Sequence, residues 1–197
     1  MGRYSDYMRD IWAIQANRKV LGITLFGVFF DNSRPFTPGD QLQLADGVET
    51  AVQLLSQKGY DLLIISGQPS KKTKNLSIQD FENILSSTRE GVERLGGRIK
   101  NAYYAPGTDK NDPYVKPNAG MFEKAQNEGM VDWSKSYFVG FEANDIKAAV
   151  KVKALPVLIK PANSEVNVKA LALTHQLKIQ EFPSLLEFAQ SLYSFIP

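Results

Sequence analysis

Short apolar runs alternate with segments of helical period along most of the chain. Residues 20 to 30 form a near-continuous apolar run, which predicts a strand buried on both faces. The remaining predicted strands are 62–66, 99–105, 136–140, 155–160 and an edge strand at 177–182. The predicted helices are 48–58, 78–95 after a Ser77 N-cap, 121–128, 143–152, 164–174 and 184–193. This alternation predicts a three-layer α/β domain, with a parallel sheet, helices on both faces and no large cap domain.

The pattern predicts a single domain with an N-terminal extension. We find no repeat, low-complexity segment or linker, so we assign residues 19–197 to one domain and residues 1–18 to a helical extension. Apolar side chains in the extension fall at helical spacing, namely Tyr4, Met8, Ile11 and Trp12. We expect this face to pack on the domain. The alternative is a docking face for a protein partner or a second copy of the chain.

Composition narrows the chemistry that the chain can carry. The absence of cysteine excludes disulfides and zinc sites built on cysteine. His175 is the single histidine, so a Ser-His-Asp triad is excluded unless that residue supplies it. The formal net charge of +2 does not imply binding of nucleic acid. The chain has no stretch of about 18 apolar residues and carries charges in its first residues, so we expect a cytoplasmic protein without a membrane span.

The long irregular segments all follow predicted strands. These segments are residues 31–45, 67–76 and 106–117, and a further loop begins at Gly140. Ligands of open parallel sheets bind beyond the carboxyl ends of the strands. The four loops are therefore expected to surround the functional site.

Four motifs at these strand ends resemble those of the haloacid dehalogenase (HAD) superfamily, over about residues 20 to 160. Within the superfamily, the chain most resembles the heptose bisphosphate phosphatase and histidinol-phosphatase branch. Its resemblance to polynucleotide 3′-phosphatase domains is more distant. It implies a Rossmann-like HAD fold. The motifs here are Thr24-Leu25-Phe26-Gly27-Val28-Phe29, Ser66-Gly67-Gln68, Lys116-Pro117-Asn118-Ala119-Gly120-Met121 and Val139-Gly140-Phe141-Glu142-Ala143-Asn144-Asp145.

The chain departs from the motifs of that family at the positions that carry catalysis. The resemblance implies an aspartate nucleophile and an aspartate acid/base after the first strand, where this chain has Thr24 and Phe26. An acid that holds magnesium is replaced by Phe141, and only Asp145 remains. Two aromatic rings near the former metal position would favour an apolar plug. Residues 105–115 hold no Cys or His for the zinc that some relatives bind.

Parts of an anion site remain. Ser66, the backbone of Gly67 and the ammonium of Lys116 are the candidate phosphate ligands. The alternative is that Lys116 simply pairs with Asp145. Asp31 and Asp145 are the fallback catalytic candidates, although the place of Asp31 beside Asn32 and Ser33 favours an ordinary turn residue.

These observations lead to three functional hypotheses. The first is a catalytically inactive pseudophosphatase that acts as a binding, scaffolding or regulatory module without catalytic residues, metal or cofactor. The alternative is a magnesium-dependent phosphatase of sugar phosphates or other phosphomonoesters, in which Asp31, Glu142 and Asp145 rebuild the site. The third is a sensor that binds a phosphorylated metabolite without reaction.

Overall fold

A computed structural model describes residues 18–39, 41–161, 164, 166–167, 169–170, 172 and 178–193. The predicted N-terminal extension, with Tyr4, Met8, Ile11 and Trp12, lies outside the described residues, as does His175. The predicted helix at 164–174 also lies largely outside them.

Six parallel strands form one sheet, as the alternating pattern predicts. The strands are β1 (Lys19–Ile23), β2 (Tyr60–Ser66), β3 (Ile99–Tyr104), β4 (Tyr137–Gly140), β5 (Leu155–Ile159) and β6 (Gln180–Phe182). Their order in the sheet is β3-β2-β1-β4-β5-β6. β2 and β3 follow β1 on one side of it, and β4, β5 and β6 follow on the other side. The switch in strand order therefore falls between β1 and β4, where open α/β sheets bind their ligands.

Five helices of the described residues connect or flank the strands. They are α1 (Val48–Gln57), α2 (Ile78–Arg94), α3 (Gly120–Asn127), α4 (Ala143–Lys151) and α5 (Leu185–Ser191). Ser77 caps α2 by accepting a hydrogen bond from the backbone of Asp80, as the sequence predicts. The described parts of the connections between strands contain no cap domain. No helix in the described ranges is long and apolar enough to cross a membrane.

The strand predicted over residues 20 to 30 is too long. β1 ends at Ile23, and the next residues form a compact loop in which the amides of Phe29 and Phe30 both donate to the carbonyl of Leu25. Gly27 adopts a φ of 86°, a left-handed conformation that glycine tolerates best. The loop is as buried as the strand because its phenylalanines join the hydrophobic core. An apolar run alone therefore did not distinguish the two.

The core is divided by the sheet into two layers. Helices α1, α2 and α5 pack on one face of the sheet, and α3 and α4 pack on the other. Trp133 is fully buried in the second layer and donates its indole N–H to the carbonyl of Phe122 at 2.8 Å. A side-chain carbon added to Gly22 of β1 would lie 2.6 Å from the Trp133 ring. The indole therefore depends on a glycine in the central strand.

An ion cluster fixes the amino end of the sheet. Asp61 of β2 is only 2% exposed and accepts hydrogen bonds from the guanidinium groups of Arg18 and Arg98. Arg18 also donates to the carbonyl of Tyr60 at 2.8 Å. These contacts tie the segment before β1 and the segment before β3 to β2.

Candidate functional site

The strand ends of β1, β2 and β4 surround a pocket of about 230 Å³. Its floor and walls include Thr24 after β1, Gly67 after β2, Lys116 before α3, and Glu142 and Asp145 at the start of α4. We call this cavity the phosphate pocket because it contains the residues for which the sequence predicts phosphate binding. It lies at the switch point between β1 and β4.

Lys116 extends into the phosphate pocket, and its ammonium group makes three polar contacts. Its Nζ donates to Thr24 Oγ1 at 3.2 Å, to the carbonyl oxygen of Ile65 at 3.4 Å, and to a carboxylate oxygen of Asp145. The Lys116 side chain is 10% exposed. The predicted Lys116–Asp145 ion pair is therefore present. The same ammonium group also contacts Thr24, the residue that follows β1.

The Asp145 carboxylate is held on both of its oxygens. One oxygen pairs with Lys116, and the other accepts the backbone N–H groups of Phe141 at 2.8 Å and Glu142 at 3.0 Å. Gly140 leaves room for this carboxylate, because a side-chain carbon there would lie 2.5 Å from the Cβ of Asp145. Asp145 thus contributes to the N-terminal cap of α4 and orients Lys116.

Ser66 supports the pocket from below. It is fully buried, and its hydroxyl accepts the backbone N–H of Leu25 at 3.3 Å and donates to the carbonyl of Gly67. Of the two predicted ligands after β2, Gly67 lines the pocket and Ser66 does not. Ser66 therefore positions the loop after β1 relative to β2, because its hydroxyl is used inside the protein.

The two phenylalanines do not form the joint plug that the sequence predicts. Phe26 borders the phosphate pocket but packs its ring against Phe30, Phe36 and Phe81, with centroids 5.9 to 6.4 Å apart. Phe141 instead covers Gly27, where an added side-chain carbon would lie 2.2 Å from its ring. Phe26 therefore contributes to the pocket wall, and Phe141 packs on the backbone at Gly27 outside the pocket lining. The phosphate pocket consequently remains open.

Asp31 lines a second, larger cavity of about 850 Å³, which we call the acidic cleft. The cleft is also lined by Asp46, Glu142 and Lys71. Asp31 accepts hydrogen bonds from the backbone and hydroxyl of Ser33, and the hydroxyl bond holds the pKa of its carboxyl below the usual value. The structure therefore places this fallback residue in a turn, outside the lining of the phosphate pocket.

Several residues of the site have contacts that the sequence does not predict. Glu142 and Ser70 line both cavities, so they lie at the boundary between the phosphate pocket and the acidic cleft. Gln68 fastens two loops, since its amide bonds both backbone groups of Leu76 and also donates to the carbonyl of Pro106. The Ser66-Gly67-Gln68 motif identifies Gln68 as part of the site, but only the structure shows that it connects the loops of Leu76 and Pro106. Two further lysines at the rim are Lys72 and Lys110.

This strand order, with a lysine and an aspartate meeting at the end of β1, defines the fold class of HAD-like proteins. A family model described as polynucleotide kinase 3 phosphatase matches residues 31–177. The chain belongs to that family. The matched segment contains Lys116 and Asp145 and begins after Thr24 and Phe26.

Relatives and solved structures point to the same class. The chain is 25% identical over 146 residues to a D-glycero-beta-D-manno-heptose-1,7-bisphosphate 7-phosphatase of Neisseria meningitidis, covering 74% of this chain and 78% of the relative. The enzyme of that name from Haemophilus ducreyi is 29% identical, with 66% and 79% covered. A D,D-heptose 1,7-bisphosphate phosphatase from B. bronchiseptica, solved with magnesium and phosphate, has a TM-score of 0.72 at 19% identity, with 90% of this chain and 99% of that chain covered.

The first functional hypothesis, an inactive pseudophosphatase, is wrong on these comparisons. The curated relatives described above are named phosphatases, and the structural neighbour is a phosphatase with phosphate bound. Lys116 and Gly67, two of the three predicted phosphate ligands, line an open pocket in the structure.

The described residues do not fit a magnesium ion at this site. Magnesium prefers six oxygen ligands in near-octahedral geometry. In the described ranges no three His, Cys, Asp or Glu side chains come together to hold a metal, so Asp31, Glu142 and Asp145 do not form one ligand set. Both oxygens of Asp145 are already bonded within the protein.

Proposed function

We propose that this protein is a phosphomonoester hydrolase that binds the phosphoryl group of its substrate in the phosphate pocket. One observation carries the proposal: the Lys116 ammonium lies in an open pocket, 3.2 Å from the hydroxyl of the residue that follows β1. Family membership and the named phosphatase relatives support the reaction class.

The chemistry of phosphoryl transfer suits a site of this kind. The transition state spreads negative charge over the phosphoryl oxygens, so catalysis depends mostly on positioning and on charge stabilisation. Lys116 supplies that charge next to Thr24, and Asp145 keeps its ammonium in place. Because Thr24 replaces an aspartate, the proposal assigns the attack on phosphorus to a water molecule.

The reaction is a hydrolysis in which the water oxygen forms a bond to phosphorus and the ester P–O bond breaks. The proton that water loses must reach the departing alcohol oxygen. Glu142 is the carboxylate at the boundary between the phosphate pocket and the acidic cleft, and we assign this proton transfer to it. The alcohol then leaves from the acidic cleft, and inorganic phosphate leaves from the phosphate pocket.

Phosphate release from a panel of phosphomonoesters tests the proposal. The wild-type protein is expected to release phosphate, and Lys116→Met and Glu142→Gln are each expected to lower kcat/KM at least about 100-fold. Lys135→Met is the matched control, since that lysine is 82% exposed and lies outside the lining of both cavities.

Two outcomes would overturn the proposal. One is a folded wild-type protein that releases no phosphate from any member of the panel, and the other is undiminished release by Lys116→Met. Because Lys116→Met leaves Asp145 buried without its partner, the double variant Lys116→Met/Asp145→Asn is measured in parallel, with circular dichroism to establish folding.

A further inference from the structure

We propose that the phosphate pocket binds its phosphoryl group without a divalent cation, and that Lys116 supplies the central positive charge there. The inference rests on the proposed function and specifies how the pocket accommodates the charge of the substrate. It separates this chain from its structural neighbour, which was solved with magnesium and phosphate together.

The Lys116 ammonium is already surrounded by oxygen atoms. A lysine ammonium has three donor hydrogens. Here they face Thr24 Oγ1, the Ile65 carbonyl oxygen and Asp145. The contact with Ile65 is the longest at 3.4 Å, so it is the one that an incoming phosphoryl oxygen displaces most easily. Lys116 can therefore bind phosphate without releasing Asp145.

The surroundings of Lys116 oppose a dication for two electrostatic reasons. An ammonium group repels Mg²⁺ at short range, and the nearest carboxylate is Asp145, whose charge the ammonium already neutralises. The second oxygen of Asp145 is held by two backbone N–H groups at 2.8 and 3.0 Å. A magnesium ion would have to break these bonds to gain a single ligand.

The apolar neighbours oppose a hydrated cation as well. Magnesium keeps several of its water molecules when proteins bind it. Phe26 forms one wall of the phosphate pocket, and the Phe141 ring covers the backbone at Gly27. Neither side chain can accept a hydrogen bond from the hydration shell of magnesium. At the rim, Lys72 and Lys110 add positive charge for an anion instead.

Calorimetric titration with inorganic phosphate tests the inference on the full chain. We expect the same Kd, within about twofold, in EDTA and in millimolar Mg²⁺. Lys116→Met/Asp145→Asn is expected to weaken phosphate binding about tenfold or more in both buffers, because it removes a charged hydrogen bond. A Kd at least tenfold lower in Mg²⁺, or no phosphate binding by the folded wild-type protein in either buffer, would overturn the inference.

The turnover assay separates this inference from the proposed function. Phosphate release that requires Mg²⁺ would support a hydrolase and contradict the metal-free pocket. Phosphate binding in EDTA without turnover of any phosphomonoester would support the metal-free pocket and contradict the hydrolase.

A variant with restored acids provides a second test. Thr24→Asp/Phe141→Asp places carboxylates at two of the three positions where the chain departs from the motifs of its superfamily. We expect titration with MgCl₂ alone to show binding by this variant and none by the wild-type protein. Magnesium binding of equal strength by both proteins would overturn the inference. A folded variant that binds no magnesium would show that the missing carboxylates at positions 24 and 141 are not what prevents magnesium binding.

Discussion

Asp145 is the residue on which the geometry of the phosphate pocket most depends. It is 4% exposed, pairs with Lys116 and accepts two backbone N–H groups at the start of α4. Removing one partner of a buried ion pair leaves the other charge without compensation, and this typically costs about 3–5 kcal/mol. The carboxylate therefore links the stability of the fold to the shape of the site.

We predict that Asp145→Ala lowers the free energy of unfolding by about 3 kcal/mol or more, because it leaves the Lys116 ammonium buried and unpaired. Urea denaturation measures the change. The matched variant Lys116→Met/Asp145→Ala is expected to lose less free energy of unfolding than the two single variants lose together, since it removes both charges. A loss below about 1 kcal/mol in Asp145→Ala would contradict the prediction.

Tyr103 provides a pH-dependent contribution to stability. Burial, together with the hydrogen bond that its hydroxyl donates to Glu128 at 2.5 Å, raises the pKa of Tyr103 to about 12 from an ordinary value of 10.0. Because the folded state favours the neutral phenol, this contribution is fully present below pH 10 and is lost as the pH rises towards about 12.

Absorbance at 295 nm during alkaline titration checks this prediction. Tyr103→Phe is expected to remove one tyrosine from the phase near pH 12, and Glu128→Gln is expected to move that phase to lower pH. A titration curve that neither substitution alters would contradict the assignment.

At the scale of elements, β1 and the 3-10 turn at Trp133–Lys135 depend on each other. Gly22 lies against the Trp133 ring, which packs with Phe122 and Phe138 at centroid distances of 5.1 and 6.2 Å. This aromatic cluster therefore packs directly against the central strand.

We predict that Gly22→Ala destabilises the protein by about 1–3 kcal/mol, because its methyl group would overlap the indole ring. Thermal and urea unfolding measure the loss. Gly59→Ala is a weaker comparison, since an added carbon there meets no neighbour and only its φ of 77° opposes the substitution. A Gly22→Ala protein as stable as the wild type would show that the ring moves aside at no cost.

The elements of this fold were largely predictable from the sequence, because apolar spacing reflects burial against the sheet. Helix α2 was predicted at 78–95 and runs from Ile78 to Arg94. The run through Phe29 and Phe30 was misassigned because a buried loop and a buried strand are equally apolar. Tertiary packing brings Lys116 to the Ile65 carbonyl and places Glu142 in the lining of two cavities. The spacing of apolar residues in the sequence gives no information on such contacts.

At the scale of the whole molecule, charge is divided between the two cavities. The lining of the phosphate pocket has one more lysine than carboxylates, with Lys72, Lys110 and Lys116 against Glu142 and Asp145. The acidic cleft has two more carboxylates than lysines, with Asp31, Asp46 and Glu142 against Lys71 among its described lining residues. A substrate with a single phosphate and an uncharged body matches this division. The further phosphates of a polynucleotide end would be repelled where they enter the cleft.

We predict a higher kcat/KM for a sugar monophosphate than for a 3′-phosphorylated oligonucleotide at low ionic strength. Asp46→Asn removes one exposed charge from the acidic cleft and is expected to lower the ratio of the two kcat/KM values, sugar monophosphate over oligonucleotide, by about two- to threefold. Added salt should lower the same ratio for the wild-type protein. An oligonucleotide preferred at every ionic strength would contradict the prediction.

The position of β4 has a consequence for the order of folding events. β1 pairs with β2 after one short crossover, whereas its pairing with β4 joins Leu21 to Tyr137, and 92 residues separate Lys116 from Thr24. Contacts between distant residues form late because closing a long loop costs entropy. We expect the first three strands to assemble before β4 docks. The nascent chain would then complete the phosphate pocket only after β4 has docked.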